Sequence, residues 1–201
     1  MALTRHGVDR RAALLEAARK VLAEKGVEAA RVSEIVARAG VAQGTFYLYF
    51  TSKSSLVVAL ADQVYAEIRD EVSRAIADHE RVTEQVSAGV EAAFRAVERN
   101  HDVFAIVHPR ARGAEVRQES ERLFEPYYEL VAATIRAGQA RGEIPADVAP
   151  DLTARLVVDL IDSAAYACYI LNEEAPVASY QTQVICFIQR GLGAWDDIEL
   201  S

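Results

Sequence analysis

The chain of 201 residues has few of the features that build disulfide-bonded, β-rich or membrane-spanning proteins. It contains five prolines, while alanine, leucine, glutamate and arginine dominate, which favours an all-helical fold. Its two cysteines, Cys168 and Cys186, lie far apart in apolar helical patterns and are predicted to be buried thiols rather than a disulfide or a metal site. No signal peptide precedes the first helix, and no uninterrupted apolar run reaches the ~18 residues that span a membrane. We therefore expect a cytoplasmic protein.

Motifs of catalysis are also missing from the sequence. The four histidines show no H-E-x-x-H or H-x-x-E-H spacing, and no glycine-rich phosphate loop or nucleophile elbow is present. An enzyme is the competing class, because His108 and Asp162 could in principle form an acid–base pair. We predict no catalytic residue, no metal and no cofactor.

The net charge of −8 is unevenly distributed along the chain. Residues 1–55 carry nine Lys and Arg against five Asp and Glu, and residues 56–201 carry thirteen against twenty-five. Attraction to phosphate is local, because salt screens charges beyond about 8–10 Å. A basic N-terminal part on an acidic body is therefore compatible with DNA binding.

The segment 31–53 reads RVSEIVARAGVAQGTFYLYFTSK and predicts two short helices joined by a tight turn at Gly40. Glycine at that position accommodates a left-handed backbone without strain. The second helix carries polar and aromatic side chains within two turns. A short helix, a glycine turn and a second helix with a polar tip are typical of a helix-turn-helix DNA-binding motif.

Three parts of this segment resemble the TetR family of transcriptional regulators. They are 33–41 (SEIVARAGV), 44–50 (GTFYLYF) and Ser52-Lys53 followed by Leu56. The resemblance is specific over about the first 60 residues and only architectural beyond them.

The resemblance implies an all-α protein with two domains. Residues 1–52 would form a three-helix domain with the helix-turn-helix, and residues 53–201 a larger helical bundle for effector binding and dimerisation. Helix four, over about 53–79, would be roughly 40 Å long and would link the two domains as a rod. Ser52 is its predicted N-cap.

The second helix of the motif, over about 43–50, is the predicted recognition helix. Gln43 can pair with an adenine edge, Gly44 allows close approach to the duplex, and Tyr47 by resemblance donates to a phosphate. Arg31 stands where the family usually has a threonine, and we interpret it as a phosphate contact. The predicted DNA-contacting residues are Arg31, Ser33, Gln43, Gly44, Thr45, Tyr47, Leu48, Tyr49 and Lys53.

Three aromatic residues of this helix could instead be core residues. We predict that Phe46 and Phe50 are buried and that Tyr47 is not, and the two roles of Tyr49 stay open. Lys53 lies in the first turn of helix four, where the helix dipole disfavours a cation, and a nearby phosphate would explain its position.

Aromatic side chains with a few polar groups recur through the second domain and predict a largely apolar effector pocket. For each aromatic residue alone, simple core packing is the alternative. By family resemblance the effector would be a small, mostly hydrophobic molecule, and acyl compounds, aromatic drugs and signalling lactones all remain open. The predicted pocket residues are Phe94, Phe104, His108, Phe124, Tyr127, Tyr128, Asp162, Tyr166 and Tyr169.

The last two helices, over about 152–171 and 177–192, are the most apolar of the chain. A helix that is apolar nearly all round is buried on both sides, and two such helices predict a four-helix homodimer interface. The alternative is that both pack into the core of one chain. The predicted interface residues are Leu156, Leu160, Ala164, Val184, Ile188 and Leu192.

The sequence thus predicts a ligand-responsive DNA-binding regulator. The preferred form is a repressor that binds a palindromic double-stranded DNA operator as a homodimer and is released by a small hydrophobic effector. An activator or a ligand-independent regulator of the same fold is the alternative, and a module that uses the helix-turn-helix only structurally is a further one.

Overall fold

The computed structural model describes residues 5–108, 117–172 and 174–194. These residues form helices and no strand, so the predicted all-α fold is confirmed. The helices are α1 (Arg5–Ala29), α2 (Val32–Ala39), α3 (Gln43–Tyr49), α4 (Lys53–Ala77), α5 (Val82–Arg99), α6 (His101–Val107), α7 (Arg117–Arg141), α8 (Pro150–Tyr166), which continues as a π-helical turn (Ala167–Leu171), and α9 (Val177–Gly191).

The chain divides into two compact units. In the described chain, the first unit comprises residues 5–65 and 102–108, and the second comprises 66–101 and the described residues from 117 onward. The first unit therefore extends past the predicted boundary at residue 52 and includes half of α4 and all but one residue of α6.

The core of the first unit explains this extent. Side chains from α1 to α4 meet there with almost no exposed surface, among them Leu14, Leu22, Ile35, Phe46, Leu56 and Leu60. From α6, Phe104 packs on the ring of Tyr65 with 5.9 Å between centroids, and Asp102 Oδ1 accepts a hydrogen bond from Arg19 Nη2 at 2.9 Å. Burial of α6 side chains against α4 thus makes α6 part of this unit.

Two glycines end helices in the first unit. Gly40 has φ 67° and ψ 30°, and the N–H of Val41 donates to the Val36 carbonyl at 3.1 Å, which closes α2 with a left-handed cap as predicted. Gly26 has φ 74° and ψ 170°, a conformation essentially restricted to glycine. Helix α1 breaks there, and a short further turn runs to Ala29.

In the second unit α7 packs along α8, and α5 packs along α9. At Gly138 of α7 the packing leaves no room for a side chain, because a Cβ there would lie 2.7 Å from Val82 Cγ2 and 2.8 Å from Ile144 Cδ1. Glu143 accepts a hydrogen bond from the N–H of Val82 at 2.7 Å and so caps the start of α5. That bond, and a second one from Arg141, lower the pKa of the Glu143 carboxyl.

Helix α8 departs from two predictions. It ends in a π-helical turn instead of remaining α-helical to Leu171, and it is not buried all round, because Leu152 and Leu156 are 68% and 71% exposed. Cys168 is buried in the π-turn, where burial raises the pKa of its thiol, while Cys186 is only half-buried. Among the residues described, no helix combines the length and the apolar character that crossing a bilayer would need.

Candidate nucleic-acid interface

The helix-turn-helix is held together by apolar side chains from α2 and α3. Ile35 and Phe46 have no exposed surface, and Phe50 retains 4%. The Phe46 ring lies 5.6 Å from the ring of Phe50, over which the guanidinium of Arg11 also lies at 5.6 Å. Phe46 and Phe50 are therefore core residues, as predicted.

The opposite side of α3 faces away from this core. Tyr47 is 56% exposed and Leu48 is 78% exposed, and Gln43 and Gly44 are also exposed. Thr45 and Tyr49 are half-buried at the edges of the exposed surface. The described part of the chain leaves the apolar side chain of Leu48 uncovered. We call the exposed residues Gln43, Gly44, Tyr47 and Leu48 the α3 tip.

The described structure gives Gly44 no intramolecular reason to be glycine. A Cβ at this position would meet no atom within 4 Å, and its φ does not lie in the left-handed region. Glycine in a helix is less favourable than alanine by about 0.5–1 kcal/mol. Its presence at the α3 tip is consistent with the predicted close approach to a duplex.

Arg31 and Ser33 are exposed at the start of α2. Arg31 is the N-cap residue, and its backbone N–H donates to Glu34 Oε2 at 3.0 Å. Glu34 Oε1 accepts from Lys25 Nζ at 2.5 Å, and this bond, followed by the one from Arg31, lowers the pKa of the Glu34 carboxyl. Glutamate three residues after the N-cap therefore supplies one half of a capping box. The other half needs a side-chain acceptor at the N-cap, which an arginine does not have.

A second ion pair joins α2 to α1. Arg38 donates to both carboxylate oxygens of Glu24, at 2.5 and 3.0 Å, and lowers the pKa of that carboxyl. The two pairs fix α2 on α1 at both of its ends. Sequence reasoning did not single out Glu24 or Glu34, because each takes its meaning from a cation on another helix.

Lys53 lies at the start of α4 but its ammonium points into its own unit. Nζ donates to the carbonyl oxygens of Val27, Glu28 and Ala30, at 2.6, 3.2 and 3.0 Å. The structure thus gives Lys53 an intramolecular role where the sequence predicted a phosphate contact. Ser52 is the N-cap of α4 as predicted, since its Oγ accepts from the N–H of Ser55 at 3.1 Å.

Two of the predicted pocket residues belong to the first unit. Phe104 and His108 are each 1% exposed, and their rings lie 4.9 Å apart in edge-to-face contact. Their burial against Tyr65 and each other matches core packing, which was the alternative for the aromatic residues.

The other predicted pocket residues belong to the second unit. Phe124 contacts the rings of Tyr127 and Tyr128 at 6.2 and 6.3 Å, and Phe94 contacts Tyr169 at 6.2 Å. Burial raises the pKa of Tyr127 well above its usual range and that of Tyr169 to about 12. Asp162 and Tyr166 are half-buried on α8.

Tyr128 lies in a polar contact that the sequence did not predict. Its hydroxyl donates to Asp159 Oδ1 at 3.2 Å, and the guanidinium of Arg155 lies over its ring at 4.5 Å. Burial, and then Asp159, raise the pKa of Tyr128 to about 12. The signal was present in the sequence, because Arg155 and Asp159 interrupt an apolar helix with a spacing of four residues.

Helices α8 and α9 form an open groove of about 720 Å³ in the second unit. Its lining includes the small residues Ser163, Ala164, Ala167 and Gly191 together with Phe187. Leu152 and Leu156 on α8 and Phe187 on α9 are each about 70% exposed.

The predicted interface residues fall on two different sides of these helices. Leu156 is exposed and Leu160 half-buried, whereas four others retain 3–7% of their surface. Those four are Ala164, Val184, Ile188 and Leu192. The outward face of α9 carries Tyr180 and Phe187, seven residues apart, and not the Val184-to-Leu192 stripe, which packs within the chain.

Comparisons with known proteins agree with this architecture. Residues 14–60 match the model of bacterial regulatory proteins of the tetR family, and residues 86–192 match the tetracyclin repressor-like C-terminal domain. The HTH-type transcriptional regulator YvdT of Bacillus subtilis is 29% identical over 181 residues, which are 90% of this chain and 93% of YvdT. HTH-type regulator BetI of Rhizobium meliloti is 31% identical over 138 residues, covering 69% of this chain and 68% of BetI.

Solved structures share the fold. The crystal structure of FadR from Bacillus subtilis in complex with stearoyl-CoA has a TM-score of 0.77 at 20% identity, over 92% of this chain and 99% of that one. The second family model alone spans more than half of the chain, and the helix-turn-helix matched by the first model is the motif described above. The chain therefore belongs to the TetR family of bacterial transcriptional regulators, which are DNA-binding proteins and not enzymes.

Proposed function

We propose that the protein is a repressor that binds a palindromic operator as a homodimer and is released from it by a small, mostly hydrophobic effector. The observation that carries this proposal is the distribution of exposed apolar side chains. In the described part of the chain, the large ones lie at only two places: the α3 tip, with Tyr47 and Leu48, and the α8–α9 surface, with Leu152, Leu156, Leu171, Tyr180 and Phe187. Two such surfaces are consistent with two partners, a duplex and a second copy.

The α8–α9 surface suits a second copy of the same chain. In a two-fold interface the same surface serves on both sides, so bulky side chains must find small ones opposite. This surface offers both, because exposed Phe187 lines the groove together with the small residues Ser163, Ala164, Ala167 and Gly191. A dimer would present two α3 tips, which at about 34–36 Å apart could enter successive major grooves.

The effector is proposed to bind among the aromatic residues of the second unit. The ring of Tyr127 contacts that of Phe124 and the ring of Tyr169 contacts that of Phe94, so hydroxyl groups accompany apolar rings there, as in a site for a mostly hydrophobic molecule. The FadR structure that shares this fold contains stearoyl-CoA, and a fatty acid metabolism regulator of Bacillus subtilis is 23% identical over 80% of this chain and 84% of its own length. Long-chain acyl compounds are therefore the first class to test.

Release would follow from a two-state equilibrium. In one state the two α3 tips of the dimer are spaced to fit successive major grooves, and in the other they are not. An effector that binds the second state more tightly increases its population. Helix α4, which runs through both units, would transmit the change from the effector site to the α3 tip. A coupling free energy of about 1–3 kcal/mol would lower operator affinity about 5–150-fold.

Selection of bound fragments from random duplex DNA tests the proposal, followed by sedimentation of the complex. We expect a palindromic site occupied by two chains, and loss of binding when stearoyl-CoA is added. Recovery of an asymmetric site bound by one chain would refute the dimer. A screen of acyl, aromatic and lactone compounds that leaves affinity unchanged would refute effector release.

A further inference from the structure

The ammonium of Lys53 is fully used inside the protein. An ammonium group has three N–H donors, and Nζ has three backbone carbonyl acceptors, on Val27, Glu28 and Ala30. These carbonyls follow the break of α1 at Gly26, where the chain has left the regular helix and its oxygens need other donors. Lys53 therefore supplies the C-terminal cap of α1 from the first turn of α4.

One of these carbonyls belongs to the peptide group that leads into Arg31. Lys53 Nζ lies 3.0 Å from the oxygen of Ala30, and the N–H of the same peptide, on Arg31, lies 3.0 Å from Glu34 Oε2. The peptide plane is thus held from both sides by charged groups. Because the backbone of Arg31 is oriented by that plane, its exposed side chain leaves the protein in a direction that Lys53 and Glu34 set.

We propose that Lys53 is a positioning residue for DNA binding, which aims Arg31 at the phosphate backbone and does not contact phosphate itself. This role rests on DNA binding by the helix-turn-helix and is independent of the proposed effector and dimer. It also accounts for a cation in the first turn of α4, where the helix dipole disfavours it, because the carbonyl dipoles of the α1 end offset that cost.

Arginine at position 53 separates positioning from direct contact. A phosphate accepts a guanidinium at least as well as an ammonium, often with two parallel hydrogen bonds. Three carbonyls that converge on one point fit a compact ammonium, whereas the planar guanidinium directs its donors outward in a fork. Lys53→Arg therefore keeps the charge and loses the cap.

The test measures operator affinity by fluorescence anisotropy over a range of salt, at a temperature where every variant is folded. The duplex is the site recovered from the random pool. The variants are K53R, K53Q, R31A and the double variant K53R/R31A. K20R and K20Q are matched controls, because Lys20 is an exposed lysine on α1 whose ammonium pairs with Glu16 at 3.1 Å, one turn away.

We expect K53R and K53Q to weaken operator binding by a similar factor of about ten or more, which corresponds to at least one charge-assisted hydrogen bond. The Lys20 controls should bind like wild type. In the R31A background K53R should cause no further loss, because a residue that acts through Arg31 has nothing left to position. If K53R does not fold, E34Q loosens the same peptide from its N–H side and should show the same dependence on Arg31.

Three results would overturn this role of Lys53 alone. The first is that K53R binds the operator with wild-type affinity, while in K53Q the slope of log affinity against log salt concentration is smaller by about 0.9 for each phosphate no longer neutralised. This result would show that Lys53 binds phosphate directly. A lower melting temperature of K53R and K53Q with unchanged operator affinity would show that Lys53 only stabilises the end of α1. Additive losses in K53R/R31A would show that Arg31 is not the residue acted upon. Wild-type protein that selects no duplex would refute DNA binding itself, and the positioning role with it.

Discussion

Substitution of Gly44 by alanine should raise stability and lower operator affinity at the same time. The added methyl group meets no atom of the described chain within 4 Å, and the position lies in the first turn of α3. Alanine in place of glycine in a helix stabilises it by about 0.5–1 kcal/mol. For a chain of this size that corresponds to a rise in melting temperature of about 1–4 °C.

The same methyl group should interfere with the duplex. If the α3 tip approaches the groove as closely as Gly44 permits, the methyl must be accommodated in a packed interface. Overpacking of this kind costs about 1–3 kcal/mol, which is about a 5–150-fold loss of affinity for each α3 tip. The effect on a dimer would be larger because both tips carry the change.

Thermal unfolding and operator titration of G44A test this reasoning together. The opposite signs make the experiment its own control, because a variant that is more stable than wild type has not lost DNA binding through misfolding. Replacement by valine should extend the loss of affinity in proportion to side-chain size. Unchanged operator affinity in G44A would refute close approach at Gly44, and lower stability would show that the space around it is not open.

Three further predictions follow from the geometry. Phe187→Asp should place a charge on the α8–α9 surface and convert a dimer into monomers in sedimentation experiments; a dimer of undiminished stability would remove this face from the interface. Gly40→Ala should lower the free energy of unfolding by about 1–2 kcal/mol, because φ is 67° and alanine is strained in this left-handed conformation even though no atom of the described chain lies close to the added methyl group. An unchanged denaturation midpoint would contradict this prediction. The pKa of Glu34 is lowered from 4.5 by Lys25, so the stabilising effect of the Glu34 carboxylate is present above pH 4.5 and is lost as the pH falls below that value. E34Q should therefore lose less stability than wild type on acidification to about pH 3. Parallel profiles of the free energy of unfolding against pH would contradict the Lys25–Glu34 interaction.

The helices and their ends were predictable because each rests on local signals. The apolar period of α2, the glycine after it and the Ser52 cap are all read within one or two turns of chain. The division of aromatic residues on α3 was predictable for the same reason: Phe46 and Phe50 are four residues apart and share the inner face.

Interactions between distant parts of the chain were not predictable in this way. The partners of Lys53 are backbone carbonyls 23 to 26 residues earlier, and any residue type provides a carbonyl, so the sequence carries no sign of them. Helix α9 is apolar on two faces, and periodicity alone could not decide that Val184 packs inward and Phe187 outward. The choice depends on α5 and α8, which pack against α9 from elsewhere in the sequence.

The inclusion of α6 in the first unit determines which segment of the chain could be transferred to another protein as a DNA-binding unit. A fragment that ended at residue 52 would carry the whole helix-turn-helix but would lack Leu56, Leu60 and Phe104, which are buried in the same unit. Such a fragment would be unsuitable for a fusion protein, because core side chains that are normally buried would be exposed to solvent. Recombination at that boundary would have the same effect. A portable version must include α4 to Tyr65 and a separately supplied α6.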